Sequence, residues 1–175
     1  MSLLNGTRVT WLGHATVLVE TAGGTNLLID PFIEHNPKFP KDFKLPEKID
    51  YILLTHGHFD HIADAIPVAQ KHKSTIVGVV ELTDYMSHKG AKETISMNLG
   101  GTLELPGVAV SMVEAKHSSS IEDDGVTVYL GIAAGFILSV ENGLQLATAE
   151  SEGAIEVLRR NAVIRLATQA DAEAP

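Results

Sequence analysis

The 175-residue sequence predicts a single α+β domain. Three observations carry that reading. Runs rich in Val, Ile, Leu and Thr occupy the start of the chain and again the stretch from 102 to 140, with turn residues between them. Two continuous apolar runs in the middle suit strands buried on both faces, and each is followed by a segment at helical spacing. The composition, 45% apolar and 20% charged, is that of a folded globular chain rather than a disordered one.

The run 8–20 (RVTWLGHATVLVE) alternates loosely and is rich in β-branched residues; 26–30 (NLLID) is a short strand stopped by Pro31, and the turn at 22–24 makes the two runs a hairpin. Residues 31–46 hold four prolines and three lysines without periodicity and read as loop. Residues 50–55 (DYILLT) and 75–80 (TIVGVV) are the buried strands. Helices are predicted over 63–72 and 81–89. Strands are predicted at 102–105, 108–114, 127–132 and 136–140, with turns at Pro106-Gly107, at 123–125 and at Asn142-Gly143, the last a strong hairpin signal. Beyond Gly143, Ile155, Leu158, Ala162 and Leu166 recur at spacings of three and four. Glu150, Glu152 and Glu156 lead and Arg159, Arg160 and Arg165 trail, which suits a helix dipole. The expectation is a domain over 1–146 and a helical tail over 147–175.

Composition excludes several classes. With no cysteine there is no disulfide scaffold, thiolate metal centre or cysteine nucleophile. The net charge of −9, from 13 Lys+Arg against 22 Asp+Glu, argues against nucleic acid as a partner. The first nine residues carry only one basic residue, Arg8, and do not resemble a secretory signal. The longest apolar stretch, 126–140, is interrupted by Gly131, Gly135 and Ser139 and falls short of the roughly 20 apolar residues of a spanning helix. The expected setting is cytoplasmic, with no membrane partner.

The chemistry lies in Thr55-His56-Gly57-His58-Phe59-Asp60-His61, an H-x-H-x-D-H pattern directly after a buried strand. Imidazole and carboxylate are natural ligands of zinc and similar divalent metals. His56 and His58, two apart in an extended stretch, project the same way. Asp60 and His61 sit where the chain turns into a helix, so one loop offers two ligands to one metal and two to a neighbour. His117, after the strand 108–114, is the best remote ligand to join His56 and His58. Asp30, at a strand end before Pro31, reads equally as a turn former or as a carboxylate that orients a ligating imidazole. His14, after Gly13, reads equally as a pocket residue or as a core or turn histidine. His35, His72 and His88 read as surface residues.

On these residues the chain resembles the metallo-β-lactamase fold superfamily, through THGHFDHI. The segments WLGHATVLVE, LLIDPF and KHSSSIEDDGVTVYLGIAAGF narrow the resemblance to small metal-dependent hydrolases of the UPF0173 type, related more distantly to the L-ascorbate-6-phosphate lactonase-like branch. The similarity runs from about Arg8 to Gly143. It implies a four-layer αβ/βα sandwich with metals at one edge between two sheets. It places His56, His58 and His117 at a first metal site, Asp60 and His61 at a second, and Asp30 as the supporting carboxylate. The family's bridging Asp and last His have no counterpart: no Asp lies between Asp124 and Asp171, and no His follows His117. The expected sandwich is therefore incomplete in its second half, the chain being truncated or divergent after Leu146. One metal site is expected to be firm and a second to be poorly furnished, with Glu150 as a conceivable substitute carboxylate.

The resemblance implies a hydrolase in which a metal-bound hydroxide attacks a small ester, lactone or phosphate, with Asp60 and His61 as catalytic residues. The ion would be zinc, or else Mn, Fe or Ni. The competing expectation is a catalytically impaired remnant acting as an interaction or structural module. An incomplete second sheet would also expose an apolar face, so a homo-oligomer, or docking of the tail helix over that face, is expected.

Overall fold

The alternation of residues 8–20 is interrupted by Gly13-His14, and there the chain reverses instead of continuing as one strand. A computed structural model describes the backbone of residues 6–140, 144–149, 154–159 and 162–165, with side chains at 6–140 and 145–147. In it, Gly13 and His14 take left-handed backbone angles (φ +94° and +51°). Leu12 N donates to Thr16 O at 2.8 Å and Thr16 N to Gly13 O at 3.0 Å. This closes an antiparallel pair between β1 (Arg8–Trp11) and β2 (Val17–Glu20). The predicted hairpin with the next strand also forms: β3 (Asn26–Ile29) lies antiparallel to β2.

From β3 onward the sheet becomes parallel. β4 (Tyr51–Leu53) pairs with β3, β5 (Thr75–Val79) with β4, and β6 (Thr94–Met97) with β5. The interior of β3, β4 and β5 is almost wholly buried, as expected of continuous apolar runs. The crossovers hold α1 (Phe59–Ile62), α2 (Ala65–His72) and α3 (Val80–His88). The helix predicted over 63–72 is α2, preceded by the short α1, and α2 ends where Lys73 turns left-handed (φ +57°). β6 is four residues without a long alternation, so its sequence alone does not mark it; its parallel pairing with β5 makes it a strand.

The second half builds a six-stranded sheet in the order β14-β13-β12-β11-β8-β7. β7 (Thr102–Leu105) and β8 (Val108–Glu114) form the predicted hairpin. β11 (Ala134–Val140) lies antiparallel to β8, and β12 (Leu144–Ala149) antiparallel to β11 with Val140 opposite Leu144. A separate ribbon of β9 (Ser120–Asp123) and β10 (Val126–Tyr129) turns at Asp124 (φ +50°) and Gly125 (φ +78°), the two successive left-handed residues of a type I′ turn.

The tail differs from expectation. In place of a helix over 147–175, the described residues form β13 (Ala154–Arg159) and β14 (Ala162–Arg165), each antiparallel to its predecessor. β12 runs straight through the point where the tail was expected to begin. The three-and-four spacing of Ile155, Leu158 and Ala162 coexists with β-branched Ile155, Val157, Val163 and Ile164. An available sheet edge satisfies the backbone of such a segment at least as well as a solitary helix. Leu166 and Glu150 lie outside the described residues. Among the described residues no helix comes after α3, and the tail lays no helical layer over the second sheet.

One hydrophobic cluster draws on both sheets. Leu18, Leu28, Ile52 and Ile76 of the first meet Val110, Met112, Phe136 and Leu138 of the second. The buried positions of β8 and β11 face one another across the ladder as Met112–Phe136 and Val110–Leu138. Phe136 is fully buried at this seam. Phe136→Ala is expected to lower unfolding free energy by about 3–5 kcal/mol, read from the midpoint of a urea titration with unchanged slope.

Candidate metal centre

The parallel strands end on one side of the first sheet, and the segments leaving those ends build the site. β4 ends at Leu53, and the chain stays extended through His58 (φ −72°, ψ 148°), which is the N-cap of α1. His61 N and Ile62 N then donate to His58 O at 3.0 and 3.2 Å. This change from extended to helical backbone separates the motif into two pairs. His56 and His58 project from the extended stretch, and Asp60 and His61 from the first helical turn.

The carboxylate of Asp30 holds the arrangement from beneath. Asp30 ends β3 with a left-handed backbone (φ +45°) and is 2% exposed. Its Oδ1 accepts from Thr55 N at 2.8 Å, and its Oδ2 accepts from Thr55 Oγ1 at 2.6 Å. His61 Nδ1 lies 2.8 Å from the same Oδ2. Since an ionised carboxylate only accepts, His61 carries its proton on Nδ1 and turns Nε2 outward. Thr55 Oγ1 has spent its proton on Asp30, so it accepts from His56 Nδ1 at 3.0 Å. That fixes the His56 tautomer as well and leaves Nε2 as its acceptor nitrogen.

The second sheet supplies the opposite wall. His117 follows β8, its ring centroid 4.7 Å from that of His56 and 5.0 Å from that of His58. Ser118 Oγ sits 3.2 Å from His58 Nε2, which can donate to it and keep Nδ1 as the acceptor nitrogen. Ser119 Oγ accepts from Gly57 N at 3.1 Å and donates to Leu130 O at 3.2 Å, and Ala134 N donates to Thr55 O at 2.8 Å. Leu130 lies so close to Gly57 that a Cβ there would meet Leu130 Cβ at 2.7 Å. Glycine between the two histidines is what allows the sheets to close on the loop.

His56 Nε2 and His58 Nδ1 stand 3.1 Å apart. With His58 Nε2 donating to Ser118, both are acceptor nitrogens and the pair suits a shared cation; with Ser118 donating instead, His58 Nδ1 donates to His56 Nε2. Ligand atoms of His56, His58 and His117 all lie within 4.8 Å of one another. Burial, followed by the neighbouring His61, pushes the His56 pKa down to about 3; burial and then His117 lower that of His58. Burial alone would raise the Asp60 carboxyl. The surrounding His61, a backbone hydrogen bond, His14 and His58 together hold it below its ordinary value. Neutral imidazoles and an ionised carboxylate are the forms that bind metal.

Two further groups meet the same spacing: His14 with Asp60 and His61, and Asp30 with His56 and His61. In the latter, the oxygens of Asp30 are already engaged by Thr55 and His61, which marks it as a positioning carboxylate. All seven residues singled out in the sequence, His14, Asp30, His56, His58, Asp60, His61 and His117, thus gather at one place. Thr55, Ser118 and Ser119 join them without a sequence signal of their own. Only their adjacency to His56 and His117 hints at them, because hydroxyls in such positions are commonplace. His35 and His88 are exposed, as expected of surface residues.

Comparison with known proteins gives a consistent picture. Residues 9–141 match the model of the Metallo-beta-lactamase superfamily. A UPF0173 metal-dependent hydrolase of Rubrobacter xylanophilus is 46% identical over 145 residues, 82% of this chain and 60% of the relative. One from Koribacter versatilis is 45% identical over 143 residues, 82% of this chain and 61% of the relative. The chain thus spans about three-fifths of the length of these curated relatives. Among solved structures, Igni18, a metallo hydrolase from Ignicoccus hospitalis, superposes with a TM-score of 0.61 at 27% identity, covering 78% of this chain and 57% of that one. CmlA, a diiron β-hydroxylase from Streptomyces venezuelae, shares the fold with a TM-score of 0.64 at 19% identity, over 83% of this chain and 29% of that one.

The role of Asp30 yields a prediction. Asp30→Asn keeps the shape but turns an acceptor toward Thr55 and His61 into a donor. Divalent-metal affinity, measured by competition with a chromophoric chelator, is expected to fall about 10–100-fold.

Proposed function

The chain belongs to the metallo-beta-lactamase superfamily, and on that footing we propose that it is a metal-dependent hydrolase acting on a small ester, lactone or phosphate. The observation that carries the reading is the convergence of His56, His58 and His117, with Thr55 and Asp30 leaving Nε2 of His56 as its acceptor nitrogen. Three imidazoles with an open side suit a catalytic zinc, and the same donors accept Mn, Fe or Ni. A divalent ion bound there supplies Lewis acidity toward a carbonyl or phosphoryl oxygen and makes water a nucleophile near neutral pH.

The protein's own groups do the rest. Asp30 and Thr55 hold His56 and His61 at set rotations, so little reorganisation is needed when substrate arrives. Asp60, ionised and half-exposed on the first turn of α1, is the carboxylate placed to orient the attacking water and accept its proton, beside His61. Exposed Phe59 and Ile132 offer apolar surface for the substrate's non-reacting part.

The test is turnover of p-nitrophenyl esters, simple lactones and bis(p-nitrophenyl) phosphate by the metal-loaded protein. Activity on one class is expected, abolished by a chelator and restored by added zinc or manganese. His58→Ala removes a ligand and is expected to cost at least about 100-fold in kcat/KM, beyond what loss of an outer partner costs. Absence of turnover in a protein that still binds metal would favour the impaired remnant acting as an interaction module.

A further inference from the structure

The loop over 31–47 and helix α2 flank a cleft of about 640 Å³ that none of the metal-centre residues lines. That is the size of a small-molecule site. Ile33, Phe39, Phe43 and Leu45 of the loop form one wall, and Val68 of α2 contributes to the other. The loop side chains pack against the core but stay half-buried, so they keep apolar surface for the cleft. Their wall is preformed. Phe39 and Phe43 meet edge to face with ring centroids 6.2 Å apart. Phe39 N donates to Asn36 O at 3.1 Å and Phe43 N to Pro40 O at 3.0 Å. Asp64 Oδ2 accepts from Ile33 N at 2.6 Å and from Glu34 N at 3.2 Å, which clips the loop to the start of α2.

Three polar side chains converge on these apolar walls. His72, expected at the surface, is half-buried on the last turn of α2 and lines the cleft. Its Nδ1 lies 3.1 Å from Glu47 O. A carbonyl only accepts, so the ring donates through Nδ1 and keeps Nε2 as an acceptor. That Nε2 is shielded from solvent, and no described residue gives it a hydrogen bond. A shielded acceptor is satisfied by a donor that a ligand brings. Lys44 and Lys71 also line the cleft, and among the described residues neither is in an ion pair. The acidic neighbours do not take them: Asp64 is turned to the loop amides, and Glu47 is exposed without a salt bridge among the described residues. Both ammonium groups are therefore open to an anion.

We propose that this cleft binds a small aromatic organic acid that carries an O–H or N–H besides its anionic group. The rings lie on the apolar walls, the anion meets Lys44 and Lys71, and the O–H or N–H donates to His72 Nε2. Apolar walls alone would take any hydrophobic molecule. The pairing of a shielded acceptor with two unpaired ammonium groups is what selects this class. The site is separate from the metal centre and does not rest on the hydrolase reading.

Calorimetric titration of the full-length chain with hydroxynaphthoate, whose carboxylate and phenolic O–H sit on separate rings, tests the assignment. One molecule per chain is expected, with a Kd below about 1 mM. Naphthoate lacks the hydroxyl and naphthol lacks the carboxylate, and each is expected to bind about 5-fold more weakly. His72→Phe should erase the preference over naphthoate. Lys44→Gln and Lys71→Gln together should erase the preference over naphthol. The wild-type comparison of the three compounds decides even if a variant fails to fold. The same Kd is expected with and without added Zn²⁺, because the cleft holds none of the metal-centre residues. A Kd that weakens about 10-fold when zinc is removed puts the carboxylate on the metal and overturns the proposal. Equal affinity for the three compounds marks adventitious apolar binding and overturns it too. So do absence of binding, loss of either preference in the wild type, and preferences that survive in folded variants.

Discussion

The buried carboxylate of Asp30 is the contact on which the rest of the site depends. A charge that is 2% exposed persists only if its lone pairs are well used. Here three hydrogen bonds use them, from the amide and hydroxyl of Thr55 and from the ring of His61. Those bonds tie the end of β3 to the residue before His56 and to the first turn of α1. One side chain thus registers two parallel strands and a helix against each other. It also settles the proton of His61 directly and that of His56 through Thr55. Structural and chemical roles fall on the same atoms, because a carboxylate needs donors and a ligating imidazole needs its outer proton taken.

The second constraint is close approach. The loop between β4 and α1 belongs to the first sheet, but its far wall comes from the second: His117 and Ser118 after β8, Leu130, and the start of β11. Gly57 admits Leu130 where any side chain would hold the sheets apart. The shared core behind the site, with Phe136 against Met112, fixes how near the two sheets can come. Candidate ligands from two sheets then meet because packing elsewhere is specific.

The strands of the first sheet and the H-x-H-x-D-H loop are legible in the sequence because both signals are local. Continuous apolar runs mark buried strands, and ligand spacing within seven residues needs no distant partner. The elements that the sequence misassigns depend on context. The reversal at Gly13-His14 looks like an irregularity inside one strand, since nothing in 8–20 shows which residues will pair. The segment from 154 to 165 has a helical spacing and a strand-like composition together; the edge presented by β12 decides between them. β6 and β9, four residues each, carry too little pattern to read alone and are strands because a neighbour pairs with them.

The sequence by itself marked a candidate metal-binding loop after a buried strand, offering His56, His58, Asp60 and His61 as donors from residue type and spacing and His117 from its place after a strand. It left Asp30 and His14 each between two roles. Only the tertiary structure shows what each touches, because the partner lies far along the chain: Thr55 and His61 for Asp30, and Asp60 for His14, brought together when β1 and β2 reverse beside the parallel strands. Spacing can say which side chains are able to bind a cation. Which of them share one, and which merely hold the others in place, is set by where the protons go, and that is a property of contacts made in three dimensions.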